Sequence, residues 1–188
     1  MKPKIRIIDA GYGNAFSVRQ ALTRAGARIV DENEDGVVMP GVGAFDAGAK
    51  NLGDARGAIS SGKPFLGICL GMQLLFESSA EGKGRGLAIM EGRVRKLKAR
   101  TLPHMGWNTV DFQGGVLGNG MEEPWFYFVH SYACPENPWV RGWTQYGQRF
   151  ASAVEKKNAF GVQFHPEKSG KSGGRLLENF VEVVRQWK

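Results

Sequence analysis

The run of residues 64–76, PFLGICLGMQLLF, constrains the fold more than any other stretch. Its first half is short and apolar, as expected of a buried parallel strand, and Met72, Leu74, Leu75 and Phe76 continue at helical spacing. A strand passing into a helix across Gly67-Ile68-Cys69-Leu70-Gly71 predicts a sharp turn and a layered α/β architecture. Residues 4–9 (KIRIID), 27–30 and 37–39 read as further parallel strands. Phe16, Val18, Ala21 and Leu22 mark a helix that ends at the C-cap Gly26. Past Val94 come strand-like pieces, 125–129 (WFYFV) and 160–164 (FGVQF), and then an amphipathic helix over 176–187. The expected fold is an open, mostly parallel sheet flanked by helices, with an added antiparallel portion. No repeat or Ser/Pro-rich linker divides it, so residues 1–188 are expected to form one domain. One connection is unusual. Only residues 31–36 (DENEDG) join the second and third strands, too few for a crossover helix, although six extended residues reach about 20 Å, roughly one strand length.

Glycine supplies 27 of 188 residues, well above the typical share of about 7%, which implies many tight turns or close backbone approaches. No stretch reaches the roughly 18 apolar residues that span a bilayer, and no secretory segment precedes the first strand, so a cytoplasmic protein with no membrane contact is expected. Cys69 and Cys134 lie far apart and match neither CxxC nor Cys/His zinc spacing; reduced thiols and no metal or cofactor are expected. The net charge of +7 fits a nucleic-acid surface, an acidic protein partner or a phosphorylated substrate. Lysines and arginines are scattered rather than arrayed with stacking aromatics, which speaks against nucleic acid.

The turn at Cys69 has the arrangement of a nucleophile elbow with cysteine in place of serine. Its flanking glycines leave room for a strained turn that projects Sγ. The following helix start favours a thiolate and offers the Leu70 N–H to an oxyanion. A small buried structural cysteine is the alternative. A thiolate nucleophile needs a base and a group to orient it, and His165 with Glu167 two residues on supplies both in Phe164-His165-Pro166-Glu167. His104 and His130 read as hydrogen-bonded structural residues. Pro40-Gly41-Val42-Gly43 follows the third strand, at the carboxyl edge where ligands of open α/β sheets bind, and reads either as a plain glycine turn or as an oxyanion-binding loop. Gly11-Tyr12-Gly13-Asn14 lacks the third glycine and the ribose-binding acid of a dinucleotide site.

Together, Pro40-Gly41-Val42-Gly43, GICLGMQLLF from Gly67 to Phe76 and QFHPEKS from Gln163 to Ser169 resemble the triad-type (class I) glutamine amidotransferases. Met72, His104-Met105-Gly106-Trp107-Asn108 and Tyr127-Phe128-Val129-His130-Ser131-Tyr132 are similar to the branch whose glutaminase subunits serve imidazole glycerol phosphate synthesis. The resemblance implies that Cys69 attacks the glutamine carboxamide, His165 shuttles protons and Glu167 orients His165. It also implies an oxyanion hole from the backbone at Leu70 and, after the glycine loop rearranges, Val42, with Gly43, Gln73, Ser131 and Tyr132 holding the substrate. The implied partner is a (β/α)₈-barrel cyclase that takes the ammonia through a channel in histidine biosynthesis, with Asn14, Trp107, Asn108 and Lys168 at the docking face. Two departures stand out: Ala10 replaces a usual aromatic residue, and residues 31–36 replace a usual short helix. The competing readings are an amidotransferase serving another synthase, a catalytically silent docking subunit, and a basic nucleic-acid-binding module. HMGWN opposes the first and the complete Cys69, His165 and Glu167 set the second.

Overall fold

The computed structural model describes residues 1–8, 15–122 and 124–187. Its centre is a sheet of β1 (Lys4–Ile7), β2 (Arg28–Ile29), β3 (Gly36–Gly41) and β4 (Phe65–Cys69), continued by four strands from the second half of the chain. The remaining strands in chain order are β5 (Ser78–Ser79), β6 (Arg93–Lys96), β7 (His104–Thr109), β8 (Asp111–Phe112), β9 (Trp125–His130), β10 (Tyr132–Ala133), β11 (Val140–Tyr146), β12 (Gln148–Lys156) and β13 (Ala159–Val162). The main sheet runs β2-β1-β3-β4-β13-β12-β11-β8. Its strands are parallel from β2 through β13, and β12, β11 and β8 then add on antiparallel. β10, β6 and β5 form a small sheet, and β7 pairs with β9 as a separate antiparallel ribbon.

The helices are α1 (Ala15–Arg24), α2 (Phe45–Gly48), α3 (Gly53–Ser60), α4 (Leu70–Gln73) and α5 (Gly170–Gln186). Because side chains alternate along a strand, β3 feeds both faces of the sheet: Val38 joins a core with Val18 and Leu22 of α1 and Leu177, Phe180 and Val184 of α5. Val37 and Met39 join the opposite core with Phe45, Ala55, Ile59 and Met72. β3 and β4 are buried at every position, as a central parallel strand covered by helices on both sides requires.

Several boundaries differ from the sequence expectation for identifiable reasons. β2 has two residues rather than four, and its partner residues on β1 are Lys4 and Ile5, while β3 begins opposite Ile5. The second strand therefore ends almost level with the start of the third. Residues 30–35 need only pass across β1, held there by Val30 N–H to Ile5 O and Asp35 N–H to Lys4 O, and no crossover helix is required. The helix after Cys69 is one turn, not a run to Phe76. The carbonyls of Leu74, Leu75 and Phe76 accept from Leu87, Ala88, Ile89 and Met90, so tertiary hydrogen bonds replace further helical ones. β13 stops at Val162, and α5 starts at Gly170 rather than 176. Asn14, Ala10 and the turn 11–13 lie outside the described residues. No helix among those described is long and apolar enough to cross a membrane.

Candidate active site

Cys69 is the last residue of β4, and the registers of the two neighbouring strands decide what surrounds it. Gly41 of β3 pairs with Cys69, so the chain leaves β3 into Val42 and Gly43 beside the thiol. On the other side Val162 of β13 pairs with Ile68, and Gln163, Phe164 and His165 run on past the same sheet edge. Two segments 120 residues apart in sequence thus converge at the carboxyl end of one strand, the place where open α/β sheets take ligands.

The backbone at Cys69 has φ 56° and ψ −105°, a region that glycine enters freely and other residues do not. Close packing enforces it. A Cβ on Gly71 would sit 2.1 Å from the Met39 carbonyl oxygen, and one on Gly67 2.4 Å from the Gly71 backbone, so the turn closes only because both flanks lack side chains. The thiol is 6% exposed. Since α4 is a single turn, its macrodipole is small, and the local contribution of the turn is the Leu70 N–H.

His165 Nδ1 lies 2.9 Å from Glu167 Oε1, with both side chains 3% exposed. Nε2 is buried and makes no hydrogen bond among the described residues, as does Glu167 Oε2. Burial alone pulls the His165 pKa down. The adjoining Cys69 thiol and Glu167 carboxylate outweigh it and raise the value to about 10, so the ring carries a proton at neutral pH. The turn is anchored from outside: His165 N–H donates to Tyr127 O (2.9 Å), Ser169 Oγ donates to His165 O (2.6 Å), and Tyr127 N–H donates to Ser169 Oγ (3.0 Å).

A cavity of about 430 Å³ opens onto the thiol. Of the residues expected at the site, Val42, Gly43, Leu70, Gln73, Ser131 and Tyr132 all line it with Cys69. The Gln73 amide donates to Tyr132 O (3.2 Å) and to Gln163 Oε1 (3.0 Å), and Gln163 Nε2 in turn donates to Cys69 Sγ (3.6 Å). Sequence reasoning missed three participants. Glu81 lines the cavity from the loop after β5 with no pattern to announce it, His130 lines it from the end of β9, and Gln163 was legible only as part of QFHPEKS.

On the outer face of the β7–β9 ribbon, Met105, Trp107 and Trp125 stand 62%, 54% and 54% exposed. Lys168 is exposed beside them, its Nζ 5.9 Å from the Tyr127 ring. Asn108, expected with them at a partner's docking face, is half-buried with its amide turned inward, donating to Gln145 O (3.0 Å).

A family model for class-I glutamine amidotransferases matches residues 7–184. The chain belongs to this family. Among its curated relatives, the imidazole glycerol phosphate synthase subunit HisH of Nostoc punctiforme is 44% identical, covering 98% of both chains. The subunit of the same name from Bacillus mycoides is 47% identical over 98% of this chain and 97% of its own. In solved structures, a protein described as a GMP synthase subunit from Thermoplasma acidophilum superimposes on this amidotransferase with a TM-score of 0.76 at 20% identity. It covers 100% of this chain and 96% of its own. At that identity the likeness speaks for the fold alone.

Proposed function

We infer that this amidotransferase is the glutaminase subunit of imidazole glycerol phosphate synthase, releasing ammonia from glutamine for a (β/α)₈-barrel cyclase in histidine biosynthesis in the cytoplasm. The observation that carries the reading is Cys69, at its strained turn, interacting with the His165–Glu167 pair on one side and opening onto a cavity of about 430 Å³ on the other. Near full-length similarity to the HisH subunits supports the choice of synthase.

The geometry suits an acyl transfer through a thioester. Glutamine enters with its carboxamide toward Cys69; Gln73 and the Ser131–Tyr132 backbone hold the chain, and Glu81 suits the α-ammonium group. Sγ attacks the carboxamide carbon as the thiolate, its proton already on His165, and the oxygen gains a negative charge that the N–H of Leu70 and, after the glycine loop rearranges, that of Val42 receive. His165, protonated and with Nε2 unengaged, gives its proton to the departing nitrogen as the C–N bond breaks. Ammonia leaves, and a γ-glutamyl thioester stays on Cys69. The now neutral ring takes a proton from water, which adds to the thioester, and collapse expels Sγ, frees glutamate and restores the thiolate beside the protonated ring. Glu167 holds Nδ1 throughout and stabilises the imidazolium. The apolar surface of Met105, Trp107 and Trp125, with Lys168 at its edge, suits a protein partner better than nucleic acid: the residues that stand out are large and apolar rather than cationic.

The test is the Cys69→Ala variant assembled with the cyclase. Glutamine-driven synthesis is expected to fall by about 10³-fold or more, whereas ammonium salts still support the cyclase reaction, because only the ammonia source is lost. Near wild-type glutamine turnover in that variant would overturn the assignment.

A further inference from the structure

From the cavity wall inward runs a second group of titratable residues that the reaction scheme leaves unused, with His130 in the wall and His104 behind it. His104 of β7 and His130 of β9 are cross-strand partners, 2% and 6% exposed, on the inner face of the ribbon. His104 is clamped between two rings, its centroid 4.0 Å from Tyr146 and 4.6 Å from Phe128, both nearly parallel to it. The clamp holds the His104 ring in one orientation, and His130 meets Phe128 and Phe150 at an angle beside it.

The hydrogen bonds of the two rings form one line. Asn108 Nδ2 lies 3.3 Å from His104 Nε2, His104 Nδ1 lies 3.2 Å from His130 Nε2, and His130 Nδ1 lies 2.8 Å from Tyr132 O. The direction of every bond follows from the last. A carbonyl oxygen can only accept, so His130 carries its proton on Nδ1. Burial holds both rings neutral, with the His130 pKa near 3 and that of His104 near 4. A neutral His130 then has Nε2 as acceptor, His104 must donate from Nδ1, and its own Nε2 accepts from the Asn108 amide. Each donor in the line meets an acceptor, and no other assignment of neutral rings satisfies all three contacts.

The line ends on a carbonyl that the site uses. Tyr132 O also accepts from Gln73 Nε2, and the other hydrogen of that amide goes to Gln163, which donates to Cys69 Sγ. Ser131 and Tyr132 line the cavity beside them. The far end is Asn108, which follows the exposed Trp107 in β7 and points to the opposite face.

We propose that His104 and His130 are positioning residues. As a neutral pair protonated on Nδ1, they fix the Tyr132 carbonyl and through it the Gln73 amide, so that the setting of the outer ribbon face reaches the ledge on which glutamine lies. The proposal rests on the reading of the cavity as the glutamine site. It assigns to the pair a role in substrate placement, where a structural role would require only that the rings fill space.

Two measurements test it. Long-range ¹H–¹⁵N spectra of the imidazoles in the full chain near neutral pH are expected to show both rings protonated at Nδ1 and bare at Nε2. A proton on Nε2 of either ring, or an imidazolium, overturns the proposal, whatever the activity. The second measurement is glutamine hydrolysis by the complex with the cyclase and its ribotide ligand. His130→Phe keeps the ring volume and removes both bonds. The KM for glutamine is expected to rise about tenfold, with kcat changed less than about threefold, as the loss of one binding-side hydrogen bond predicts. His130→Gln, whose amide both donates and accepts, is expected to recover most of that loss. An unchanged KM in His130→Phe, or equal loss in the Phe and Gln variants, overturns the proposal. If His130→Phe does not fold, the spectra of the wild-type chain decide. A wild-type complex that releases no glutamate from glutamine defeats the proposed function instead and leaves the tautomer result standing.

Discussion

Replacing Cys69 by glycine separates the stability of this protein from its activity. At φ 56° and ψ −105° a residue with a Cβ carries strain of about 1–3 kcal/mol, which glycine does not. The comparison that isolates this term is Cys69→Gly against Cys69→Ala, since both lose the sulfur and only one keeps the Cβ. At an ordinary position glycine is less stable than alanine by about 0.5–1 kcal/mol for backbone entropy, and by about 0.8 kcal/mol more when the Cβ is buried, as here. For a chain of this size that difference lowers the melting temperature by about 3–6 °C. Strain relief of about 2 kcal/mol cancels it. Thermal unfolding followed by circular dichroism should therefore find the glycine variant melting at or above the alanine variant, with both inactive toward glutamine. A glycine variant melting about 3–6 °C below alanine would show that the turn is relaxed, and that projection of the thiol costs the fold nothing.

Two further predictions concern ionisable groups. Glu167→Gln should retain part of the glutaminase activity and His165→Ala essentially none, because an amide can still hold the ring at Nδ1 but stabilises its cation poorly; steady-state hydrolysis in the cyclase complex checks the order. The folded-state pKa values of His104 and His130 are depressed, so the unfolded chain binds protons that the folded chain does not once pH drops below about 6.5. Their contribution to stability is complete above that value and is lost as pH falls through about 4 and about 3. His165 has the opposite sign: its raised value of about 10 gives stability that is complete below about 6.5 and is lost as pH rises through 10. Unfolding near pH 5 should accordingly take up close to two protons on account of His104 and His130. Denaturant titrations across pH 4.5–7 should show a flatter slope in the His104→Phe/His130→Phe double variant.

What the chain discloses in advance depends on how local the cause is. Strands β3 and β4 and the Cys69 turn were readable because burial on both faces demands unbroken apolar runs and the elbow needs glycine on either side. The His165–Glu167 pair was readable because two residues of one turn face the same way. The helix after Cys69 was overextended for a physical reason. Leu74, Leu75 and Phe76 are apolar at helical spacing because they are buried, yet their carbonyls serve residues 87–90, which no local pattern reveals. The brevity of β2 is likewise set by its partner β1 and not by its own residues. Glu81 is a single acid in a glycine-rich loop, and the His104–His130 contact depends on a register between strands 26 residues apart. Of the residues expected at a docking face, Trp107 and Lys168 are exposed, whereas the Asn108 amide turns inward, since period-two alternation opposes neighbours on a strand.

That alternation makes β9 a strand with two owners. Trp125, Tyr127 and Val129 point out beside Met105 and Trp107, while Phe126, Phe128 and His130 point in. If the outer face docks the partner as proposed, the outward set can drift with the surface of a changing partner, substitution by substitution, while the inward set stays under the veto of the reaction centre. At Tyr127 the two meet in one residue: its side chain belongs to the outside, but its backbone N–H and carbonyl hold Ser169 and His165. Main-chain groups survive any replacement of the side chain except proline. The contact with the His165 turn is therefore one that mutation at this position can hardly erase, and a lineage can rewrite its outer surface here without rewriting its chemistry.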